Sequence, residues 1–124
     1  MTRTALTLVL SVLIIYGALC IALYLFQRSL IYFPQPETNI GDTNVINLAV
    51  DGVNLKIITA QRYNKRAIIY FGGNAENVGF SVPELSFAFP DKAIYAMNYR
   101  GFGGSEGAPS EEMLVKDAFF LFEQ

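Results

Sequence analysis

Three consecutive residues, Gly72, Gly73 and Asn74, carry the strongest chemical signal in this chain of 124 residues. They follow Ile68-Ile69-Tyr70-Phe71, a run of β-branched and aromatic residues without polar alternation that predicts a central strand buried on both faces. The glycine pair stops the strand, and Asn74, Ala75 and Glu76 are expected to open a helix. Such a corner places main-chain N–H groups at the carboxyl end of a strand, where open α/β sheets hold their ligands. Backed by the positive end of a helix dipole, those donors suit a negative charge that develops during a reaction. Taken alone, the same residues fit an ordinary β-turn with a helix cap at Asn74.

A second pattern is a decoy. Gly103-Gly104-Ser105-Glu106-Gly107 spells G-x-S-x-G, which marks a nucleophilic serine only when that serine sits directly between a strand and a helix. Here the preceding strand is expected to end near Tyr99 and the next helix to start at Ser110, so Ser105 falls in mid-loop. It also lacks a base, because the chain contains no histidine to take the hydroxyl proton. The same loop fails the dinucleotide pattern G-x-G-x-x-G, since Glu106 occupies the last position and no helix begins there. Glu111 and Glu112 are adjacent on a helix and diverge, which argues against a shared acid–base or metal site. With no histidine and Cys20 as the only cysteine, neither a metal site nor a cofactor is expected. Arg100 is read as a brace between loops rather than a substrate ligand.

The elements that must position these residues begin with an uncharged apolar run, Ala5–Phe26. As a helix it would extend roughly 33 Å, enough to cross a hydrocarbon layer of about 30 Å. It exceeds the core of a signal peptide and no A-x-A-like site follows it, so residues 1–28 are read as a single-pass transmembrane anchor. Arg3 and the amino terminus outweigh Arg28, which puts the C-terminal part outside the cytoplasm. From Ser29 onward there are seven Lys/Arg and eleven Asp/Glu, a net charge of −4 with no basic stripe, which excludes nucleic acid as a partner.

Residues 29–44, broken by Pro34 and Pro36, read as a linker, with the Leu30–Phe33 cluster at the membrane interface or under the domain. Residues 45–124 read as one α/β unit. Val45–Val50 and Leu55–Ala60 predict an edge hairpin around Asp51-Gly52, its loop lengthened by Val53 and Asn54. The strand before Gly72, a helical crossover interrupted at Gly79 and Pro83, and a strand over Ala93–Tyr99 make a parallel βαβ unit. Ser110 then caps a helix whose Met113, Leu114, Ala118, Leu121 and Phe122 form one face, with Glu112 and Lys116 able to pair on its surface. Two parallel strands and a hairpin make half a sheet with an exposed apolar edge, so the sequence reads as the front part of a larger α/β protein.

In this order the pieces resemble the α/β-hydrolase family, specifically its membrane-anchored branch. The resemblance rests on the anchor followed by SLIYFPQP (29–36), the hairpin at Asp51-Gly52-Val53, YFGGNAENV (70–78) and NYRGFGGSEGAPSEEMLVKDA (98–118), the last being the most specific. It implies the N-terminal part of an α/β-hydrolase fold in which the main-chain N–H of Asn74 forms half of an oxyanion hole. Gly73 stands at the glycine of the family's H-G-N motif, and Gly72 replaces its histidine. The implied activity is hydrolysis of an ester, thioester or amide through an acyl-enzyme, on a small-molecule or lipid-like acyl substrate and without a cofactor. The family's nucleophile, acid and histidine come later than residue 124, so this chain alone is expected to be inactive. A non-catalytic membrane-tethered scaffold or pseudo-enzyme that binds a partner protein by strand addition is the second reading.

Overall fold

The computed structural model describes residues 2–38, 41 and 43–124. Residues 39, 40 and 42 of the expected linker lie outside the described residues. The chain divides into two compact units, Met1–Tyr32 and Phe33–Gln124.

The first unit is a single helix, α1 (Arg3–Ile31), which runs three residues past the end of the expected anchor. Its mean hydropathy reaches 2.6 and none of its residues is buried, so it is long and apolar enough to cross a membrane. Arg28 in the last turn suits the negative end of the dipole, and the Tyr32 N–H bonds the Arg28 carbonyl at 2.8 Å before Pro34 ends the helical path.

The second unit is a four-stranded mixed sheet with helices on both faces. Its strands are β1 (Asn44–Val50), β2 (Val53–Ala60), β3 (Arg66–Phe71) and β4 (Lys92–Met97) in the order β1-β2-β4-β3. β1 and β2 form the expected antiparallel hairpin, but its loop is only two residues. Asp51 (φ 49°) and Gly52 (φ 77°) both take left-handed values, the pair a tight I′ turn requires, so Val53 and Asn54 belong to β2. β4 runs antiparallel to β2 and parallel to β3. The expectation of a central β3 is corrected here: β4 takes the place beside the hairpin, and β3 lies at the edge of the sheet with its far side unpaired among the described residues.

Alternation along the strands builds two cores. On one face Val50, Leu55, Ile57 and Met97 pack with Leu121 of α3 (Glu111–Glu123); on the other Ile58, Ile94 and Ala96 pack with Val78 and with Val82 of α2 (Ser81–Ala88). β3 contributes Ile69 to the first face and Ile68 and Tyr70 to the second, all half-buried. α3 starts where expected, the Ser110 hydroxyl accepting from the Met113 N–H at 3.3 Å with Glu111 and Glu112 in the first turn. Its apolar face is rotated from the expected one: Asp117 and Leu121 are buried while Phe122 is 75% exposed. Lys116 pairs with Asp51 of the hairpin turn at 2.6 Å rather than with Glu112.

The crossover also differs from expectation. No α-helix opens at Asn74: residues 74 and 75 form a turn, Val78–Phe80 a single 3₁₀ turn capped by Asn77, and α2 begins at Ser81 with Pro83 in its first turn. Ala75 at φ 63° and the capping Asn77 interrupt any helix between them, so no helix dipole backs Asn74.

Candidate functional site

Because β3 and β4 are parallel, their carboxyl ends share one edge of the sheet, and the loops after them lie side by side. After β3, the Glu76 N–H bonds the Gly73 carbonyl at 3.2 Å and closes a β-turn with Asn74 and Ala75 at its centre. The left-handed φ of Ala75 belongs to the third position of a type II turn, usually glycine or asparagine. A β-carbon there costs about 1–2 kcal/mol, and such strain collects at functional positions. Gly73, Asn74 and Ala75 are exposed.

Each of the three expected site residues is held by a different element. The Tyr99 hydroxyl donates to the Gly72 carbonyl at 2.9 Å, the Gly73 N–H donates to Glu76 Oε2 at 2.7 Å, and Asn74 Oδ1 accepts from the Phe33 N–H at 3.1 Å. Gly72 has a steric reason to lack a side chain: a β-carbon there would lie 2.4 Å from Cγ1 of buried Val78. The histidine of the H-G-N pattern therefore does not fit this backbone while Val78 keeps its place.

The Glu76 carboxylate is the hub of the turn. Oε1 accepts from the Tyr70 hydroxyl at 2.7 Å and the Ser81 hydroxyl at 2.6 Å, while Oε2 takes the Gly73 N–H. The Ser81 hydroxyl first, then the Gly73 N–H and Tyr70, hold its carboxyl below the usual carboxylate range against partial burial. In return the hydrogen bond to Glu76 raises the Tyr70 phenol, and burial raises that of Tyr99. The chain offers a signal for Glu76: a glutamate three positions after a turn residue reaches back to its N–H, as the last member of a capping box does. Tyr99 and Phe33 act across 27 and 41 positions, and local sequence pattern holds no trace of such contacts.

The strap Phe33–Thr38 crosses this edge, so part of the expected linker is built into the second unit. Gln35 accepts from the Gly103 N–H at 2.8 Å, Thr38 accepts from the Asn77 amide at 2.8 Å, and Glu37 pairs with Lys56. The glycine-rich loop beneath it is structural. Ser105 is buried, donates to the Asn98 carbonyl at 2.9 Å and accepts from the Lys56 N–H at 2.8 Å. A hydroxyl spent on two main-chain groups in mid-loop is not a raised nucleophile. Glu106 accepts from the Asn54 N–H at 2.8 Å and ties the loop to β2. Arg100 is the brace the sequence led us to expect: Nε and a terminal nitrogen meet both oxygens of Asp117 at 2.8 and 2.7 Å, where Asp117 is only 1% exposed.

Below the turn, Ile69 and Phe71 of β3 and Val115, Ala118, Phe119 and Phe122 of α3 line an open apolar groove of about 400 Å³. Phe71, Val115 and Phe119 are 42%, 52% and 65% exposed.

No family model and no solved structure matches the chain. It is similar to Protein bem46 of Schizosaccharomyces pombe, at 27% identity over 114 residues that cover 77% of this chain and 38% of that protein. The chain thus spans less than two fifths of that protein's length.

Proposed function

We propose that this chain is the N-terminal portion of a membrane-anchored serine hydrolase, contributing the oxyanion-hole loop to an enzyme whose nucleophile, acid and histidine lie outside residues 1–124. The observation that carries the reading is the strained, exposed turn at the carboxyl ends of β3 and β4, with Gly72, Gly73 and Asn74 each fixed by a separate contact. The similarity to bem46, a protein of the α/β-hydrolase family, supports it.

In this reading the serine attacks an ester, thioester or amide carbonyl, and the Asn74 N–H donates to the oxygen as it gains charge. One such preorganised donor contributes about 10²–10³-fold to the rate. The absence of histidine from the chain means that proton transfer from the serine falls to another part of the protein. The apolar helix α1 anchors the enzyme in a membrane, with the α/β unit outside the cytoplasm, and makes lipid-like acyl compounds the natural substrate class.

The test is fluorophosphonate labelling of membranes that carry the product of the intact reading frame, with the labelled peptide identified by mass. Label on a serine outside residues 1–124 is the expected result, and label on Ser105 would overturn the reading. A second reading, a non-catalytic tethered scaffold, is favoured by the unpaired side of β3 and the apolar groove beside it. Membranes that take no label while the protein captures a partner through β3 would support the scaffold.

A further inference from the structure

We propose that Glu76 is the positioning residue of the Gly72–Gly73–Asn74 turn: its ionised carboxylate collects donors from three directions and so fixes which way the main chain of the turn faces. The geometry carries the inference. One carboxylate joins β3 through Tyr70, α2 through Ser81 and the turn itself through the Gly73 N–H, at 2.7, 2.6 and 2.7 Å. All three donate to the carboxylate here, and only the ionised form accepts from all three at once: a neutral acid or an amide must either turn a hydrogen on the Gly73 N–H, which can only donate, or reverse the bonds to the two hydroxyls. The Glu76 N–H closes the same turn from the other side by bonding the Gly73 carbonyl. With both polar groups of Gly73 held by one residue, the peptide that follows, which carries the Asn74 N–H, has one orientation. The titratable groups beside Glu76 are Tyr70 on β3 and Tyr99 after β4, both neutral over the acid range as any phenol is, and raised further here.

The clamp has a direction in pH. Protonating the carboxyl ends its simultaneous acceptance from all three donors, so the clamp is tightest above the depressed value of Glu76 and loosens as the pH falls through it. The inference deepens the hydrolase reading, since orienting the Asn74 N–H matters to catalysis only if that group meets an oxyanion. Its test needs no activity, so either can fail without the other.

The experiment is amide NMR on the full chain in detergent micelles. In the wild-type chain the Gly73 amide shift should follow one ionisation, with a midpoint below the usual carboxylate range. In Glu76→Gln, hydrogen exchange at Gly73 should quicken by about tenfold or more. The Tyr70 phenol should fall back toward its ordinary value, while exchange at Ile57 and Ile94 in the core strands stays unchanged. A Gly73 shift that ignores pH over the acid range would overturn the proposal without recourse to any variant. Equal acceleration at Gly73, Ile57 and Ile94 in Glu76→Gln would overturn it as well, since that pattern belongs to general loosening.

Discussion

Replacing Gly72 by alanine tests whether the corner is shaped by packing. The added β-carbon would stand 2.4 Å from Cγ1 of Val78, against the 3.5–4.0 Å or so at which carbon atoms sit in contact. Val78 is 3% exposed and locked among Ile58, Val82, Ile94 and Ala96, so it cannot swing into solvent. Overpacking of this kind costs about 1–3 kcal/mol. The conformation of Gly72 is outside the left-handed region, so alanine is otherwise acceptable there and gains about 0.4–1 kcal/mol by restricting the unfolded chain. Val78→Ala alone costs about 2 kcal/mol for its lost methyl groups and the cavity they leave. In the Val78→Ala background, however, Gly72→Ala should be neutral or stabilising, a coupling of about 1–3 kcal/mol. Urea unfolding of the full chain in micelles, followed by the near-ultraviolet signal of its seven tyrosines, gives the four stabilities. If Gly72→Ala costs the same in both backgrounds, the steric explanation of the missing side chain is wrong.

Asp117→Ala leaves the Arg100 guanidinium buried without its bidentate partner and should cost about 3–5 kcal/mol, read by the same unfolding titration. Ser105→Ala strips the Asn98 carbonyl and the Lys56 N–H of a partner and should cost about 1–3 kcal/mol, with fluorophosphonate labelling of the intact protein retained. Glu76, Asp51 and Asp91 all have depressed carboxyls, so on acidification the unfolded chain takes up protons before the folded one does. Their stabilisation is complete above the ordinary carboxylate range and declines as the pH falls through the folded values, which a midpoint-against-pH series would show as a downward slope below about pH 4. Phe119→Lys places a charge in the exposed groove beside β3 and should weaken self-association of the chain in micelles, measured by sedimentation.

Local chemistry was the legible part of the fold. Asp51-Gly52 announced the hairpin, Ser110-Glu111-Glu112 announced α3, and the mid-loop place of Ser105 followed from the distance between strand end and helix cap. Order across the sheet was not legible. The apolar composition of β3 suits a central strand, but pairing order is decided by the crossover, and β4 takes the inner position. The helix expected at Asn74 failed for local reasons: Ala75 takes a left-handed φ, Asn77 caps the next turn, and Glu76 folds back onto Gly73 while Tyr70 and Ser81, six and five positions away, hold its other oxygen. At the candidate site the glycines and Asn74 could be named from sequence. The contacts that fix them come from Tyr99, Val78 and Phe33, and these depend on the tertiary fold.

Asn74 offers a direct separation of main chain from side chain. It occupies the second position of a type II turn, where proline is well tolerated, so Asn74→Pro removes the N–H and keeps the turn, whereas Asn74→Ala keeps the N–H and removes the contact to Phe33. The decisive measurement is the acylation rate of the intact, membrane-bound protein by an activated ester, compared between these two variants. A main-chain oxyanion donor at this position predicts a loss of about 10²–10³-fold in Asn74→Pro and a much smaller loss in Asn74→Ala. Equal rates in the two variants would contradict it.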